Sequence, residues 1–181
     1  MDRSLPRAAD VLEFWFGDPP GPSRQEWFRK DAAFDATIRE RFGDLHEAAS
    51  RRELEAWRSA PESMLALVVV LDQFSRNLYR GDPRAFAQDA YARECANEAL
   101  ARGDEAVLLP VQRQFLYLPL EHSEDLADQE RCVELMRTLE QFHETRGLRN
   151  PNRVGPGTRS LPESISGPGS YCDAGSGRTA R

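Results

Sequence analysis

The apolar residues between positions 8 and 142 recur at spacings of three and four, which is the period of amphipathic α-helices. No stretch alternates apolar and polar residues as a half-buried strand does, and the only β-branched run, 68–70, lies inside a longer helical pattern. We therefore predict an all-α fold of about seven helices, arranged as antiparallel helical hairpins. The clearest predicted buried faces are Val11, Leu12, Trp15 and Phe16; Phe34, Ile38, Phe42 and Leu45; and Met64, Leu67, Val68, Leu71 and Phe74.

Capping residues, prolines and glycines between these faces indicate where the helices begin and end. Ser23 and Glu26 have the spacing of a capping box, and Pro61 suits the first turn of a helix. We expect Pro119 to end a short helix that begins near Val111. Asp82-Pro83 is predicted to begin a helix that runs to Arg102 and ends at Gly103. Ser123 is predicted to cap a long helix that runs to about Thr145.

The last fifth of the chain differs in composition from the rest. Residues 146–181 contain seven of the 12 glycines and four of the 12 prolines, and six Arg against two acidic residues give them a charge of +4. Their few apolar residues follow no period, so burial cannot offset the entropy cost of ordering this stretch. We predict a helical domain over 1–145 and a disordered Gly/Pro/Ser/Arg-rich tail over 146–181.

Charge and hydropathy exclude several classes of protein. The chain carries 24 basic and 30 acidic residues, and a net charge of −6 is unsuited to neutralising nucleic-acid phosphates. The longest apolar run, 64–71, has eight residues and cannot span a membrane. No signal sequence is visible. The three cysteines, Cys95, Cys132 and Cys172, form no CxxC pair. Cys95 and Cys132 lie on helical faces that are predicted to be buried. We expect a cytoplasmic protein with reduced thiols that binds neither nucleic acid nor membranes.

Polar residues follow the most apolar helix, in the segment 71–81, where a plain packing helix would not need them. Asp72 and Arg76 are four residues apart and can pair on one helical face, beside Gln73 and Asn77. One interpretation is an ion pair and an amide cap that end the helix. The other is a pocket in which the planar guanidinium of Arg76, oriented by Asp72, receives a carboxylate or a phosphate.

A second polar segment, 115–130, surrounds the start of the long C-terminal helix. Ser123 and the acidic residues after it suit a helix N-terminus, where negative charge meets the positive end of the dipole. His122 lies between Glu121 and Glu124 and can serve as a general acid or base near neutral pH. The alternative is that His122 only satisfies a buried carbonyl group.

Metal, cofactor and nucleophile motifs are absent from the sequence. His122, Glu124 and Asp128 offer an oxygen-rich set but lack the spacing of a known metal site, so no metal is predicted. There is no glycine-rich phosphate loop and no nucleophile elbow, so no cofactor is predicted either. His46 and His143 lie among polar helical residues and are predicted to be surface residues.

Three stretches resemble the bacterial "domain of unknown function 924" family, in collinear order over roughly residues 8–142. They read VLEFWFG (11–17), LDQFSRNLYRGDPRAFAQD (71–89) and FLYLPLEHSEDLADQE (115–130). The resemblance implies an all-α, tetratricopeptide-like fold and no established activity. Ser75 stands where members usually have proline. After residue 145 the family's further helix and RFGRFPHRN-like segment are replaced by a Gly/Pro/Arg mixture, as after a reading-frame change or fusion to an unrelated end.

The leading hypothesis is a cytoplasmic helical protein whose polar groove binds a small anionic ligand or an acidic peptide end. Its central condition is that Arg76 and His122, some forty positions apart, meet across one cavity. An enzyme, perhaps a hydrolase, with His122 and Glu124 as acid–base groups and Arg76 as anion stabiliser is the first alternative, and a passive protein-interaction scaffold is the second. The predicted ligand-binding residues are Asp72, Gln73, Arg76, Asn77, His122, Glu124 and Gln129.

Overall fold

The computed structural model describes residues 4–21 and 24–145, with side chains as far as Leu139. The predicted all-α fold is confirmed, since within these residues every regular element is helical. The predicted tail, 146–181, lies outside the described residues. In chain order the elements are α1 (Ala8–Phe16), a 3₁₀ turn (Gln25–Trp27), α2 (Ala32–Ser50), a 3₁₀ turn (Glu55–Ser59), α3 (Pro61–Val69), a π-helical segment (Val70–Phe74), α4 (Ser75–Leu78), a 3₁₀ turn (Pro83–Phe86), α5 (Asp89–Arg102), a 3₁₀ turn (Asp104–Val107), α6 (Pro110–Glu121) and α7 (Leu126–Thr145).

The centre of the fold is the continuous helical stretch formed by α3, the π-helical segment and α4. Every residue from Met64 to Ser75 is buried, which is typical of a helix surrounded by others. Helices α1, α5 and α6 pack against α3, α2 packs against the π-helical segment and α4, and α7 packs against α6. Full burial of one Leu or Val side chain stabilises a fold by roughly 1.5–3 kcal/mol, so this stretch dominates the core.

Aromatic rings join the N-terminal helices to the central stretch. Phe74, fully buried, has ring centroids 5.1 Å from Phe42, 5.7 Å from Trp15 and 6.2 Å from Phe14. Trp15 also packs edge-on against Phe115 of α6, with the centroids 5.5 Å apart. Edge-to-face and tilted pairs at such distances add stabilisation beyond burial alone.

Two of the predicted helix starts are displaced in the structure. Helix α2 begins at Ala32, and its N-cap is Asp31, whose carboxylate accepts hydrogen bonds from the backbone N–H groups of Ala33 and Phe34 at 2.9 and 3.0 Å. The capping box predicted at Ser23 is followed only by a 3₁₀ turn, and Ser23 itself lies outside the described residues. Asp82-Pro83 likewise opens a 3₁₀ turn, and α5 begins only at Asp89.

The C-terminal pair of helices also differs in detail from the prediction. Pro119 does not end α6, which continues to Glu121. Ser123 does not cap α7; its hydroxyl accepts the backbone N–H of Asp125 at 3.1 Å, and the Asp125 carboxylate accepts from Ala127 at 2.9 Å. Residues 122–125 therefore form a short connection in which His122 and Ser123 are held close to the end of α6.

Other predicted features are found where expected. Pro61 occupies the first turn of α3, and Gly103 ends α5 in the left-handed conformation with a φ of 77°, which favours glycine. Cys95 and Cys132 are buried, and burial raises the pKa of Cys95 to about 12 and that of Cys132 to about 11. Both described thiols are thus protonated near neutral pH. None of the described helices combines the length and apolar character needed to cross a membrane.

Candidate functional site

The π-helical segment carries the first polar residues of the predicted site. Asp72 lies in the middle of this segment and is only 1% exposed, and the side-chain amide of the buried Gln73 donates a hydrogen bond to its carboxylate. A carboxylate in such a position needs several donors to compensate for its lost hydration. Because π-helical turns are rare and occur often at functional sites, Asp72 is the natural starting point of the site.

His122 meets Asp72 across the two predicted segments. The imidazole Nδ1 lies 2.8 Å from Asp72 Oδ1. Because a carboxylate oxygen accepts, Nδ1–H is the donor of this hydrogen bond. The Nε2 atom, on the opposite side of the ring, has no hydrogen-bond partner among the described residues, and the side chain is 26% exposed. The buried carboxylate thus fixes both the orientation and the tautomer of a histidine that reaches solvent.

Arg76 shares the same carboxylate oxygen. Its Nη1 lies 3.3 Å from Asp72 Oδ1, which confirms the predicted ion pair and brings Arg76 and His122 together on one acceptor. The guanidinium also binds Asp89 of α5 with two hydrogen bonds, of 2.9 and 3.2 Å. Asp89 therefore occupies the donors that the sequence analysis assigned to a ligand, and Arg76 connects the central helix to α5.

A groove of about 620 Å³ opens beside this cluster. Its volume is in the range of small-molecule sites in proteins. Of the predicted site residues, His122 and the exposed Glu124 line it, whereas Asp72 and Gln73 lie buried behind His122. The lining residues are Phe86, Asp89, Ala90, Arg93, Pro119, His122, Ser123 and Glu124.

Arg93 is the site residue that the sequence analysis missed. Its Nη1 donates to Ser123 Oγ at 2.7 Å and to Asp128 Oδ2 at 3.2 Å, while Nε and Nη2 make no hydrogen bond within the described part of the chain. The side chain is 39% exposed and faces the same groove as His122. The available signal was its spacing, because Arg93 is four residues after Asp89 and shares its helical face.

Asn77 and Gln129 have structural contacts away from the groove lining. The Asn77 amide donates to Asp35 Oδ1 at 2.7 Å, and Arg80 binds the same carboxylate with hydrogen bonds of 2.5 and 3.0 Å. The Gln129 amide donates to the Ser123 carbonyl at 2.7 Å and so holds the connection between α6 and α7. The structure therefore separates Asn77 from Asp72, although the two residues are close in sequence.

The pKa of Asp35 leads to a prediction about acid stability. Burial alone would raise this pKa, but the hydrogen bonds from Arg80 and Asn77 outweigh it and lower the pKa below its ordinary value. A lowered folded-state pKa means that the stabilisation is present above the unfolded-state pKa and is lost as the pH falls through the folded-state value. Asp35→Asn should lower the free energy of unfolding by about 1–2 kcal/mol near neutral pH, and by much less at about pH 2.5.

Urea unfolding at the two pH values measures this difference. Asp44→Asn is the matched control, because Asp44 lies exposed on the same helix, and it should change the free energy of unfolding by less than about 0.5 kcal/mol. An Asp35→Asn effect of the same size at both pH values would show that the loss does not come from the charge of Asp35.

His46 was predicted to be a surface residue, and this was wrong. It is 3% exposed, and its Nε2 lies 2.7 Å from Ser75 Oγ, whose hydroxyl donates to the Leu71 carbonyl at 2.6 Å. Burial lowers the pKa of His46, which is therefore a neutral core histidine. Polar neighbours on α2 concealed its inward orientation. The other predicted surface histidine, His143, has a side chain outside the described residues.

No metal-binding group emerges from the part of the chain that the structure describes. Nowhere in that part do three or more His, Cys, Asp or Glu side chains come together closely enough to hold an ion. Asp128, one of the oxygen ligands considered from the sequence, accepts hydrogen bonds from Ser123 Oγ at 2.8 Å and from Arg93. Its carboxylate serves to fix Arg93 beside the groove.

Comparison with known proteins places the chain in a family. No curated protein matches the sequence. A solved structure of a protein of unknown function from Agrobacterium tumefaciens has 41% sequence identity and a TM-score of 0.66, and the match covers 78% of this chain and 84% of that one. The model of the family described as "Bacterial protein of unknown function (DUF924)" matches residues 11–158, which extend past the predicted boundary at 145. The chain therefore belongs to the DUF924 family of bacterial proteins.

Proposed function

We propose that this protein binds a small anionic molecule in the groove between α5 and the connection that precedes α7, with the guanidinium of Arg93 and the imidazole of His122 as the hydrogen-bonding groups. The observation that carries the proposal is that both side chains line the same groove of about 620 Å³ and that each is fixed from behind by a carboxylate. A donor that is already oriented loses little entropy on binding.

The roles of the arginine residues differ from those that the sequence suggested. Arg76 neutralises Asp89 and orients Asp72, so that it acts as a positioning residue and Arg93 supplies the guanidinium donors. The Nε and Nη2 groups of Arg93, which have no partner among the residues that the structure describes, suit a carboxylate, a sulfonate or a phosphate, which accept from a guanidinium through two oxygens. The C-terminal carboxylate of an acidic peptide presents the same chemical group.

The imidazole of His122 contacts the groove through Nε2. With the Nδ1 proton directed at Asp72, a neutral imidazole presents Nε2 as an acceptor, whereas the imidazolium presents Nε2–H as a charged donor. The imidazolium form is therefore the one that can donate to an anion through Nε2.

Arg93→Gln tests the proposal directly. The substitution keeps a polar side chain but removes the charge and the forked donors, so the affinity for sulfate should fall about tenfold. Sulfate is a suitable probe because its charge is constant over the range in which histidine titrates. Isothermal titration calorimetry measures the affinity without the general stabilising effect of this salt on folded proteins.

Arg51→Gln is the charge-matched control for this experiment. Arg51 is exposed, pairs with Glu53 and lines a different cavity, so its replacement should leave sulfate affinity unchanged. If wild type binds no sulfate, or if both variants bind it as well as wild type does, the groove is not an anion site.

Acid–base catalysis is the second candidate, and the Asp72–His122 pair is the observation that favours it. A buried carboxylate that holds a histidine by Nδ1 and leaves Nε2 toward a cavity is the arrangement by which enzymes orient a general base. A turnover screen with phosphate esters, carboxylic esters and amides tests it. Activity that His122→Gln abolishes, with an unchanged circular dichroism spectrum, would favour an enzyme over a binding protein.

The passive-scaffold alternative required the two polar segments to lie on separate faces. Instead they meet through the Asp72–His122 hydrogen bond, and both segments contribute to one buried polar cluster. Cluster and groove together give the anion site its physical basis.

A further inference from the structure

We infer that the ligand of this groove carries an apolar ring next to its anionic group, and that Phe86 contacts the ring. The inference rests on the proposed function and adds the chemical class of the ligand's uncharged part. Phe86 is an aromatic residue with 62% of its surface exposed, and it forms part of the groove that holds Arg93 and His122.

Phe86 is held in position by the same polar cluster. The Arg76 guanidinium carbon lies 5.4 Å from the centre of the Phe86 ring, and Arg76 Nη1 donates to the carbonyl of the preceding residue, Ala85, at 3.3 Å. Phe86 is the last residue of the 3₁₀ turn Pro83–Phe86, whose start is capped by the Asp82 carboxylate. An aromatic ring on a turn that is anchored at both ends is a pre-organised contact surface.

The composition of the groove agrees with an amphipathic ligand. Its polar groups belong to Arg93, His122, Ser123 and their carboxylate neighbours, whereas Phe86, Ala90 and Pro119 contribute apolar surface. Single exposed apolar residues are common on protein surfaces, so exposure alone carries little weight. The position of Phe86 is what matters, because it shares a cavity with the oriented side chains of Arg93 and His122. Small-molecule sites combine such an apolar wall with a few placed polar groups.

The size of the groove points in the same direction. A bare oxyanion that contacts Arg93 and His122 leaves most of the 620 Å³ to water and leaves Phe86 uncovered. A ring attached to the anion fills this space and covers the exposed phenyl group, which releases water from both apolar surfaces.

Benzenesulfonate and methanesulfonate are the probes that test the inference. Both are monoanions with the same sulfonate group and constant charge near neutral pH, so they differ only in the ring. Wild type should bind benzenesulfonate about tenfold more tightly than methanesulfonate. Phe86→Ala should reduce this preference to about twofold and leave methanesulfonate affinity unchanged, because the sulfonate contacts Arg93 and His122 and not Phe86.

Phe28→Ala is the matched control, since Phe28 is similarly exposed, at 68%, and does not line the groove. It should keep the tenfold preference, and circular dichroism should show that both variants are folded. An equal preference for the ring in wild type and Phe86→Ala, or equal binding of both probes to wild type, would overturn the role of Phe86 and leave the anion site intact. Failure of wild type to bind either sulfonate or sulfate would instead refute the proposed function, and this inference with it.

Discussion

Replacing Asp72 with alanine should lower the free energy of unfolding by about 2–4 kcal/mol. The carboxylate is 1% exposed, accepts hydrogen bonds from His122 and Gln73, and forms an ion pair with Arg76. Its removal leaves the donors of His122 and Gln73 without their acceptor, and the penalty for an unpaired buried donor exceeds the net gain of a made hydrogen bond. The effect stays below the largest values for buried ion pairs, because Arg76 keeps Asp89 and its own side chain is 22% exposed.

Urea unfolding monitored by circular dichroism measures this loss, and two further variants interpret it. Glu124→Ala removes an exposed carboxylate from the groove beside the Asp72 cluster and should change the free energy of unfolding by less than about 0.5 kcal/mol. Asp72→Asn retains an acceptor oxygen and should be intermediate. A stability of Asp72→Ala equal to that of wild type would mean that the buried cluster does not hold the central helix to His122 and Arg76.

Phe74→Ala should be more destabilising than Asp72→Ala, with a loss of about 3–5 kcal/mol in the free energy of unfolding. Phe74 is fully buried and contacts the rings of Phe14, Trp15 and Phe42. Truncation removes the largest side chain of the π-helical segment and leaves a cavity that the surrounding rings can fill only in part. Equilibrium denaturation gives the value if the variant remains folded at low temperature.

Phe74→Leu guards against complete unfolding of the alanine variant, since it leaves a smaller cavity and should cost about 1–2 kcal/mol. Phe28→Ala is the exposed control, and it should cost less than about 0.5 kcal/mol. A loss below 1 kcal/mol for Phe74→Ala would contradict the packing of the aromatic rings around the central helix.

The elements that the sequence predicted well are those that one periodic pattern determines locally. The buried face of the central helix, including Met64, Leu71 and Phe74, follows from apolar spacing alone. The Asp72–Arg76 pair follows from the distance of four residues along a helix. Helix limits were less well predicted, because Asp31 and Asp125 compete with other capping residues nearby and only tertiary packing selects between them.

The parts of the site that sequence reasoning missed depend on contacts between distant segments. Asp89 was not considered as a partner of Arg76, since the 3₁₀ turn between them is what brings the two side chains together. Arg93 lies on a helix rich in alanine, where its spacing of four residues from Asp89 was the one local signal and did not by itself indicate a site. His46 has polar neighbours in sequence, yet its ring is buried where α2 packs against α4 and lies against Ser75. The resemblance to a family without an assigned activity could not supply these contacts.

The central claim is that Arg93 and His122 form one anion site whose histidine is oriented by Asp72. The most direct test is the NMR spectrum of the imidazole ring nitrogens and carbon-bound protons during a titration with sulfate at constant pH. We predict that the His122 signals shift in a saturable manner, that those of the buried His46 do not, and that Arg93→Gln weakens the response about tenfold. His122 signals that stay constant at sulfate concentrations that saturate the binding measured by calorimetry would contradict the account.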